Sequence, residues 1–262
     1  MILRRVIKHV KAQHWTAVFL DFVIVVLGVF LGLQVSNWNA ARLTEAEAGD
    51  LLQRMIAEAA EARADLTEYR ANHAYILEGA LKLAVRLKDT DACLLMDDEM
   101  KELILRVGDF PPPRFSLATA REALASGSLS ALGSADIRDG IRKIVDEMAF
   151  MDRQWQRYIR IKQDTEQIVY SAAGLSLTGD QTLKILPGNA FSGIDQYRLQ
   201  TPEGVCGQSE IVAYASNAAI TEHIYTAYIG QFSDKLDKYA ALLSAYADDN
   251  AGRASLKKAS AP

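Results

Sequence analysis

Three polar side chains interrupt apolar helical patterns, and they are the residues whose types and spacing could do chemistry. His73, Lys162 and Glu222 each stand where the flanking positions of the same pattern are apolar. An imidazole, an amine and a carboxylate held together can exchange protons, which is the basis of general acid–base catalysis. Because an unpaired buried charge is costly, we expect the three to form one buried polar cluster. Its predicted role is to fix helix register; a catalytic or pH-sensing role for His73 is the alternative.

Three long helices must position this cluster. Apolar residues recur at alternating spacings of three and four, which is the heptad pattern of packed helices. The first pattern contains Leu52, Met55, Ala59, Ala62, Leu66, Tyr69, His73, Ile76, Ala80, Leu83 and Leu87, the second runs from Ile137 to Ala172, and the third from Ile211 to Tyr246. The first predicts a helix from Thr44 to Lys88, which either starts at a capping box of Thr44 and Glu47 or continues unbroken from the preceding segment. The shared period predicts that the three helices pack together.

The segment between the first two long helices is broken. An apolar helix is expected near residues 93–107, followed by a stop at "DFPPPRF", where three successive prolines forbid a continuous helix. A short helix should follow from Thr119, with Thr119 and Glu122 as its capping box. The chain after residue 36 is therefore predicted to be an elongated up-down four-helix-type bundle, 37–248, whose second helix is interrupted.

The two cysteines should lie at the same end of this bundle. Cys93 follows the first long helix and Cys206 precedes the last one. In an oxidising compartment two such cysteines should form a disulfide, which would contribute roughly 4 to 5 kcal/mol for a closed loop of this order. Two separate free thiols are the alternative, since sequence alone does not prove proximity.

A long loop and a tail complete the predicted domain. Residues 174–208 hold six glycines and two prolines without a helical period, so they are expected to form a loop at the membrane-distal tip. A loop of that length is either a binding element or a simple cap. Residues 249–262 are predicted to be a disordered tail.

No other set of residues predicts a catalytic, cofactor-binding or metal site. The four histidines, His9, His14, His73 and His223, do not stand at metal-ligand spacings. The acidic group 97–99 lacks the glycine and the ligand alternation of a calcium loop, and it predicts the start of a helix instead. The sequence also lacks nucleophile-elbow and zinc-protease motifs. The prediction is a protein without enzymatic activity or cofactor.

The N-terminal apolar stretch predicts a transmembrane helix over residues 15–36. From Trp15 to Leu33 only Thr16 and Asp21 are polar, so the stretch approaches the ~20 residues that span a ~30 Å hydrocarbon layer. Basic residues are concentrated in 1–14, which places that segment in the cytoplasm and the remainder of the chain outside. A cleaved signal peptide is the alternative, although "SNWNAAR" offers no clean small-residue cleavage site.

One face of this helix carries an acid followed by small residues. Asp21 lies two turns before Gly28, and Gly32 and Ser36 continue the face at a spacing of four. Small residues at this spacing let two transmembrane helices approach closely. The face therefore predicts docking on a second copy or on another membrane protein, while the alternative for Asp21 is contact with headgroups or a basic side chain.

The same residues carry a resemblance. The acid, the Gly-containing apolar run and "GLQVSNWN" resemble the N-terminal signature of an uncharacterised bacterial family of single-pass membrane proteins, a domain of unknown function. The later stretch "TAREALASGSLSALGSADIRDGIRKI" is similar to a second, looser signature of that family, with Ala125 where a serine is usual. The resemblance implies a bacterial membrane-anchored helical protein, and it implies no activity. Together with the orientation given by the basic N-terminus, the predicted location is the bacterial inner membrane with the C-terminal domain in the periplasm.

Composition narrows the function further. A net charge of −4 and a pI near 5.6 argue against nucleic acid as a partner, because nucleic acid requires a concentrated basic face. The predicted function is a membrane-anchored scaffold, accessory subunit or sensor outside the cytoplasm, with the lipid bilayer and a membrane protein or second copy as partners. The alternatives are a small-ligand receptor that uses the loop, and an enzyme with its site in the bundle core.

Overall fold

The computed structural model describes residues 15–177 and 197–259, without the side chains of residues 15–18, 21, 177, 197, 254 and 256–259. It divides into two compact units, Met1–Leu51 and Leu52–Pro262, called here the N-terminal and C-terminal units. The described elements are helices apart from two three-residue strands, so the predicted all-α class is confirmed.

The first helix, α1, covers Trp15–Arg86 and supplies residues to both units. It passes through Thr44 without interruption, and the Thr44 hydroxyl donates to the Ala40 carbonyl one turn earlier at 3.1 Å. Of the two alternatives drawn from the sequence, the unbroken helix is therefore the one observed. No capping box forms at Thr44, because its hydroxyl is already used inside the helix.

Within the N-terminal unit the large apolar side chains of α1 are exposed. Phe22, Val29 and Val35 are 64%, 59% and 63% exposed, and the other large apolar residues between them are also exposed, except the half-buried Val23. In the described part of the chain one helix is long and apolar enough to cross a membrane, and none of its apolar window is buried.

Two further long helices complete the C-terminal unit. They are α5, Ala135–Ala173, and α6, Ser209–Ala259. Ser134 caps the start of α5 by accepting from the Ile137 N–H, and Gly174, with a φ of 60°, ends it in the left-handed region that glycine adopts without strain. The heptad positions of all three helices form the core, with only occasional half-buried exceptions such as Ala80 and Trp155.

Pairs of side chains give the helix directions in this unit. Arg63 lies 2.6 Å from Asp237, and His73, further along α1, lies 2.7 Å from Glu222. Residue numbers rise along α1 while those of the partners fall along α6, so the two helices are antiparallel. Glu147 and Lys235 in turn join α5 to α6 at 2.6 Å. Both α1 and α5 therefore contact α6.

The segment after α1 consists of short helices. They are α2, Thr90–Leu94, α3, Asp98–Leu105, a 3₁₀ turn at Arg106–Gly108, α4, Ala118–Ser126, and a second 3₁₀ turn at Ser128–Ala131. The single helix expected near 93–107 is thus wrong, because Met96 adopts a φ of 43° between α2 and α3 and interrupts the helical backbone. Asp97 caps α3 by accepting from the Met100 N–H at 2.8 Å, in agreement with the helix start expected at 97–99.

The capping box at Thr119 and Glu122 is also wrong. Leu117 is the N-cap residue of α4, and its side chain makes no capping hydrogen bond. The backbone N–H groups of Thr119 and Ala120 donate instead to the Glu58 carboxylate of α1, at 2.8 and 3.3 Å. A carboxylate from another helix supplies the acceptor that the local sequence was expected to supply.

The expected loop 174–208 is partly structured. Strands β1, Leu175–Leu177, and β2, Tyr197–Leu199, pair antiparallel, with Leu175 opposite Leu199, and a 3₁₀ turn follows at Pro202–Gly204. The expectation of an irregular loop is wrong near both ends of this stretch. There the two strands pair with each other, which satisfies backbone N–H and C=O groups. The remaining residues, 178–196, lie outside the described part.

The tail expected to be disordered begins as helix. α6 continues through residues 249–259, so the expectation is wrong for this stretch, and residues 260–262 lie outside the described part. Asp249 and Arg253 form an ion pair at 2.8 Å across one helical turn, and alanines favour the helical backbone.

Candidate functional site

The structure brings His73, Lys162 and Glu222 together in the core of the C-terminal unit. Glu222 is the centre: its Oε1 lies 2.7 Å from His73 Nδ1, and its Oε2 accepts a 2.6 Å hydrogen bond from the Tyr158 hydroxyl. Lys162 Nζ is 3.9 Å from the same Oε2. None of the three charged side chains is more than 1% exposed, so we call these residues with Tyr158 the buried cluster.

Each long helix contributes to the cluster from a position in its apolar pattern. His73 comes from α1 and Glu222 from α6, whereas Tyr158 and Lys162 lie four residues apart on α5 and so share one face. A position of the heptad pattern faces the neighbouring helices, so a polar residue there can form hydrogen bonds with residues of those helices. Glu222 is the partner for residues of both other helices.

Tyrosine rings enclose the imidazole. The centroids of Tyr69 and Tyr225 lie 4.4 and 5.2 Å from that of His73, both edge-on, and the Tyr69 and Tyr225 hydroxyls are hydrogen-bonded to each other at 2.9 Å. The Tyr158 ring stacks on Tyr225 at 4.4 Å. Within the described residues, His73 Nε2 is buried and makes no hydrogen bond. The imidazole is therefore held by ring packing and by one hydrogen bond, between Nδ1 and Glu222.

Burial sets the electrostatics of the cluster. It lowers the pKa of Lys162, although Glu222, Asp109 and Glu166 act in the opposite direction. It also raises the pKa of Tyr158 well above its usual value, and the neighbouring Glu222 adds to this. Tyr158 is therefore a neutral hydroxyl that donates its hydrogen bond to Glu222.

A second carboxyl group, that of Asp109, interacts electrostatically with Lys162. It belongs to the connector, the proline-containing segment 109–117 between the first 3₁₀ turn and α4. Burial raises the pKa of Asp109 to about 6, against the lowering effect of Lys162 and Arg106, while Glu102 raises it slightly further. The connector is seated on α5 beside this point, because a Cβ at Gly108 would come within 2.7 Å of both Glu166 Oε1 and Tyr170 Oη. Lys162 is thus flanked by carboxyl groups from two different parts of the unit.

A small cavity borders Lys162. It is lined mainly by Ala80, Leu83, Val107, Ala215 and Ala218, and its volume of about 10 Å³ is close to that of one water molecule. His73 Nδ1 and Glu222 Oε1 share one hydrogen bond, whereas Lys162 Nζ lies beyond hydrogen-bond distance of Glu222. This cavity does not admit a substrate next to the amine.

The structure joins Cys93 and Cys206 in a disulfide across 113 residues, with a Cα–Cα distance of 5.6 Å. Both residues are buried, in an apolar cluster that includes Leu87, Val169 and Val205. The Gly207 N–H, beside the bridge, donates to the Leu87 carbonyl at the end of α1 at 3.0 Å. The bridge therefore ties the segment before α6 to α2, and the Gly207 hydrogen bond ties it to the end of α1.

The residues expected to dock on a partner helix lie on α1 in the N-terminal unit. A Cβ placed on Gly28 or Gly32 would meet no atom within 4 Å, and Ser36 is exposed. Asp21 lies in the helix, but its side chain is outside the described set. The face is thus open at the three positions whose surroundings are described.

Two participants were not singled out from the sequence. Tyr158 could have been found from its spacing of four before Lys162, which places both on one face. Asp109 gave no such signal, because it is one carboxylate in a proline-rich stop and its environment depends on how the connector packs. In residues 15–177 and 197–259, no three or more His, Cys, Asp or Glu side chains are grouped to hold a metal ion.

Comparison with models of protein families, with curated proteins and with solved structures finds no match to this chain. The resemblance to a bacterial membrane-protein family therefore stays a prediction. The cluster, the disulfide and the apolar segment of α1 carry the argument about function.

Proposed function

We propose that this protein is a single-pass membrane-anchored helical scaffold or accessory subunit, whose C-terminal unit works outside the cytoplasm. The observation that carries the proposal is the exposed apolar segment of α1. An exposed apolar surface of this length is unfavourable in water and favourable in a bilayer, whose core a helix of ~20 residues spans. The same helix continues to Arg86 and contributes to the core of the C-terminal unit.

The orientation rests on charge and on the disulfide. The basic residues before Trp15 support a cytoplasmic N-terminus under the positive-inside rule, and the proposed membrane is the bacterial inner membrane. A disulfide persists in an oxidising compartment such as the periplasm, so the Cys93–Cys206 bridge supports export of the C-terminal unit.

The C-terminal unit is proposed to be a four-helix-type up-down bundle. Its three long helices would be completed by the short helices between Thr90 and Ala131, which take the place of an interrupted second helix. The contact of Glu58 with the start of α4 supports this placement, since it holds the short segment against α1. A helical bundle of this kind can bind a partner through its surface, as the scaffold role requires, and this role does not require a catalytic site.

The buried cluster is proposed to set the register of this bundle. Three helices meet at one carboxylate, and sliding any helix by one turn would leave a buried charge without its partner. The size of the cavity beside Lys162 favours this role over catalysis.

Topology is the first test. A reporter that is active only in an oxidising compartment, fused after Pro262, should be active, and the same reporter fused before the apolar segment should be inactive. An active cytosolic reporter at the C-terminus would overturn the proposal.

Partner docking is the second test. Affinity purification of the full chain from native membranes in mild detergent should recover a membrane protein or a second copy. Replacing Gly28 and Gly32 by leucine should abolish recovery, because bulky side chains keep helices apart. The matched control replaces Val26 and Phe30, on another face of α1, by leucine and should retain the partner. A monomer without any partner in the unaltered chain would contradict the docking role.

A further inference from the structure

A surface pocket lies beside the start of α5, away from the buried cluster. Its volume is about 420 Å³, within the range of small-molecule sites. Its lining consists of Leu124, Gly127, Leu129, Ser130, Arg138 and Arg142. All six residues fall in the stretch quoted above as similar to the second signature of the bacterial family. The proposed scaffold role does not use any of them.

The lining is positively charged in a chain whose net charge is −4. It contains two arginines and no carboxylate. Within the described residues, neither Arg138 nor Arg142 has a carboxylate oxygen within ion-pair distance, whereas the neighbouring Asp139 is paired with Lys143 at 2.6 Å. Arg142 does lower the pKa of Asp139, but less than Lys143 does. The two guanidinium charges are thus left without a direct counter-charge.

Local structure orients one of these guanidinium groups. Arg138 Nη1 donates to the Leu132 carbonyl at 2.7 Å, which fixes a half-buried side chain and leaves four further N–H groups of its fork. Arg142 follows one turn later on the same face of α5. Like charges at this spacing repel, so an anion between them would relieve an unfavourable contact. Gly127, with a φ of 77°, ends α4 and turns the chain, and Leu129 and Ser130 beyond this turn also line the pocket.

We propose that this pocket binds a phosphoryl group, held by Arg138 and Arg142. Guanidinium forks match the oxygens of phosphate bidentately, and two of them suit a group that carries between one and two negative charges. The Ser130 hydroxyl can donate to a further oxygen, and Leu124 and Leu129 can cover an apolar substituent. The phosphoryl group can belong to a soluble phosphate compound or to the headgroup of an anionic lipid.

The test uses the full chain in a non-ionic detergent, with thermal unfolding as the measurement. Inorganic phosphate is titrated against chloride at equal ionic strength, and dihexanoyl phosphatidylglycerol is titrated against dihexanoyl phosphatidylcholine. We expect a saturable rise of the unfolding midpoint with phosphate, with phosphatidylglycerol, or with both. A response to phosphate identifies a soluble ligand class, and a response to phosphatidylglycerol alone identifies a lipid headgroup.

Variants assign the response to the pocket. Arg142→Gln should weaken the apparent affinity at least about tenfold, because charge-assisted hydrogen bonds are lost. Arg142→Lys should fall between it and the unaltered chain, since it keeps the charge and loses the fork. Arg157→Gln, an exposed change on the same helix, should leave the affinity unchanged. Equal responses of the unaltered chain and Arg142→Gln, or no saturable shift with either probe, would overturn the proposal.

Discussion

The two parts of α1 contrast with each other. In the N-terminal unit its large apolar side chains are exposed, with Val26 at 47% and Phe22 at 64%. In the C-terminal unit the same helix buries a polar residue, His73, at 0% exposure. Each part reverses the usual preference for apolar residues inside and polar residues outside. The reversal is explained by different surroundings: lipid is proposed for the first part, and a carboxylate from α6 satisfies the second.

The contrast shows that helix geometry alone does not tell what a helix contacts. Both parts have the same backbone, yet lipid is proposed to stabilise one, and specific partners on α5 and α6 stabilise the other. Substitutions should therefore separate the two parts. Changes in the C-terminal unit should alter its unfolding free energy, and changes in the apolar segment should alter membrane insertion.

The largest expected effect comes from removing the disulfide. Replacing Cys93 and Cys206 by alanine should lower the unfolding free energy of the C-terminal unit by about 4 to 5 kcal/mol, because the unfolded chain regains the entropy of a closed loop of order a hundred residues. Denaturant unfolding in detergent measures the loss, and resistance to carbonate extraction should be unchanged. A loss below about 1 kcal/mol would show that the bridge has little weight in this unit.

The next effect comes from leaving buried bases without their carboxylate. Glu222→Leu should destabilise the C-terminal unit by about 3 to 5 kcal/mol, since His73 and Lys162 lose their buried partner. The triple change His73→Leu, Lys162→Met and Glu222→Leu should recover most of that loss, because apolar residues of similar size replace the whole set. A triple variant as unstable as the single one would contradict the pairing read from the structure.

A charge in the apolar segment should separate the two parts of α1 directly. Val26→Arg should cost about 2.5 to 3.5 kcal/mol on a membrane-insertion scale, measured as the inserted fraction of the chain. The matched control is Val85→Arg, at an exposed apolar position of the same helix in the C-terminal unit, which should change stability by no more than about 0.5 kcal/mol. Equal tolerance of both arginines would place the segment outside lipid.

The smallest effect concerns pH. Because the pKa of Asp109 is raised to about 6 in the folded state, that state binds more protons than the unfolded state between about pH 4 and 6. The Asp109 contribution to stability is therefore largest in acid and is lost as pH rises through this window. Asp109→Asn should be about 1 to 2 kcal/mol more stable at pH 7.5, after allowance for solvent screening, and should match the parent near pH 4.

The control for this measurement is Asp164→Asn, at an exposed position of α5. It should keep the parent's pH dependence, since the substitution leaves Asp109 and its surroundings unchanged. Parallel pH profiles for the parent and Asp109→Asn would show that Asp109 does not couple to folding.

Much of this architecture follows from local pattern in the sequence. The heptad spacings identify most core residues of the three long helices, such as Met55, Ile144 and Phe232. Counting residues from the helix ends also suffices to place His73 and Glu222 in one layer, because the rise of an α-helix per residue is fixed. Regular elements of known pitch make such distances computable from sequence alone.

What sequence reasoning missed depends on contacts between distant residues. A backbone N–H group at the start of α4 donates to Glu58, rather than to a capping box that includes Glu122. The β1–β2 pairing joins residues on either side of a long connection. The environment of Asp109 depends on the packing of the connector against α5. The pattern within one segment does not predict these pairings, because it does not show which distant residue each group will contact.

The Glu58 contact has a consequence for the order of folding. A nine-residue helix such as α4 is too short to persist alone in water, and its own N-cap residue supplies no acceptor. The acceptor lies 61 residues earlier in the chain, on a helix that ribosomal synthesis completes first. α4 should therefore form late, on a template that α1 already provides, and a peptide covering residues 117–127 alone should remain a coil.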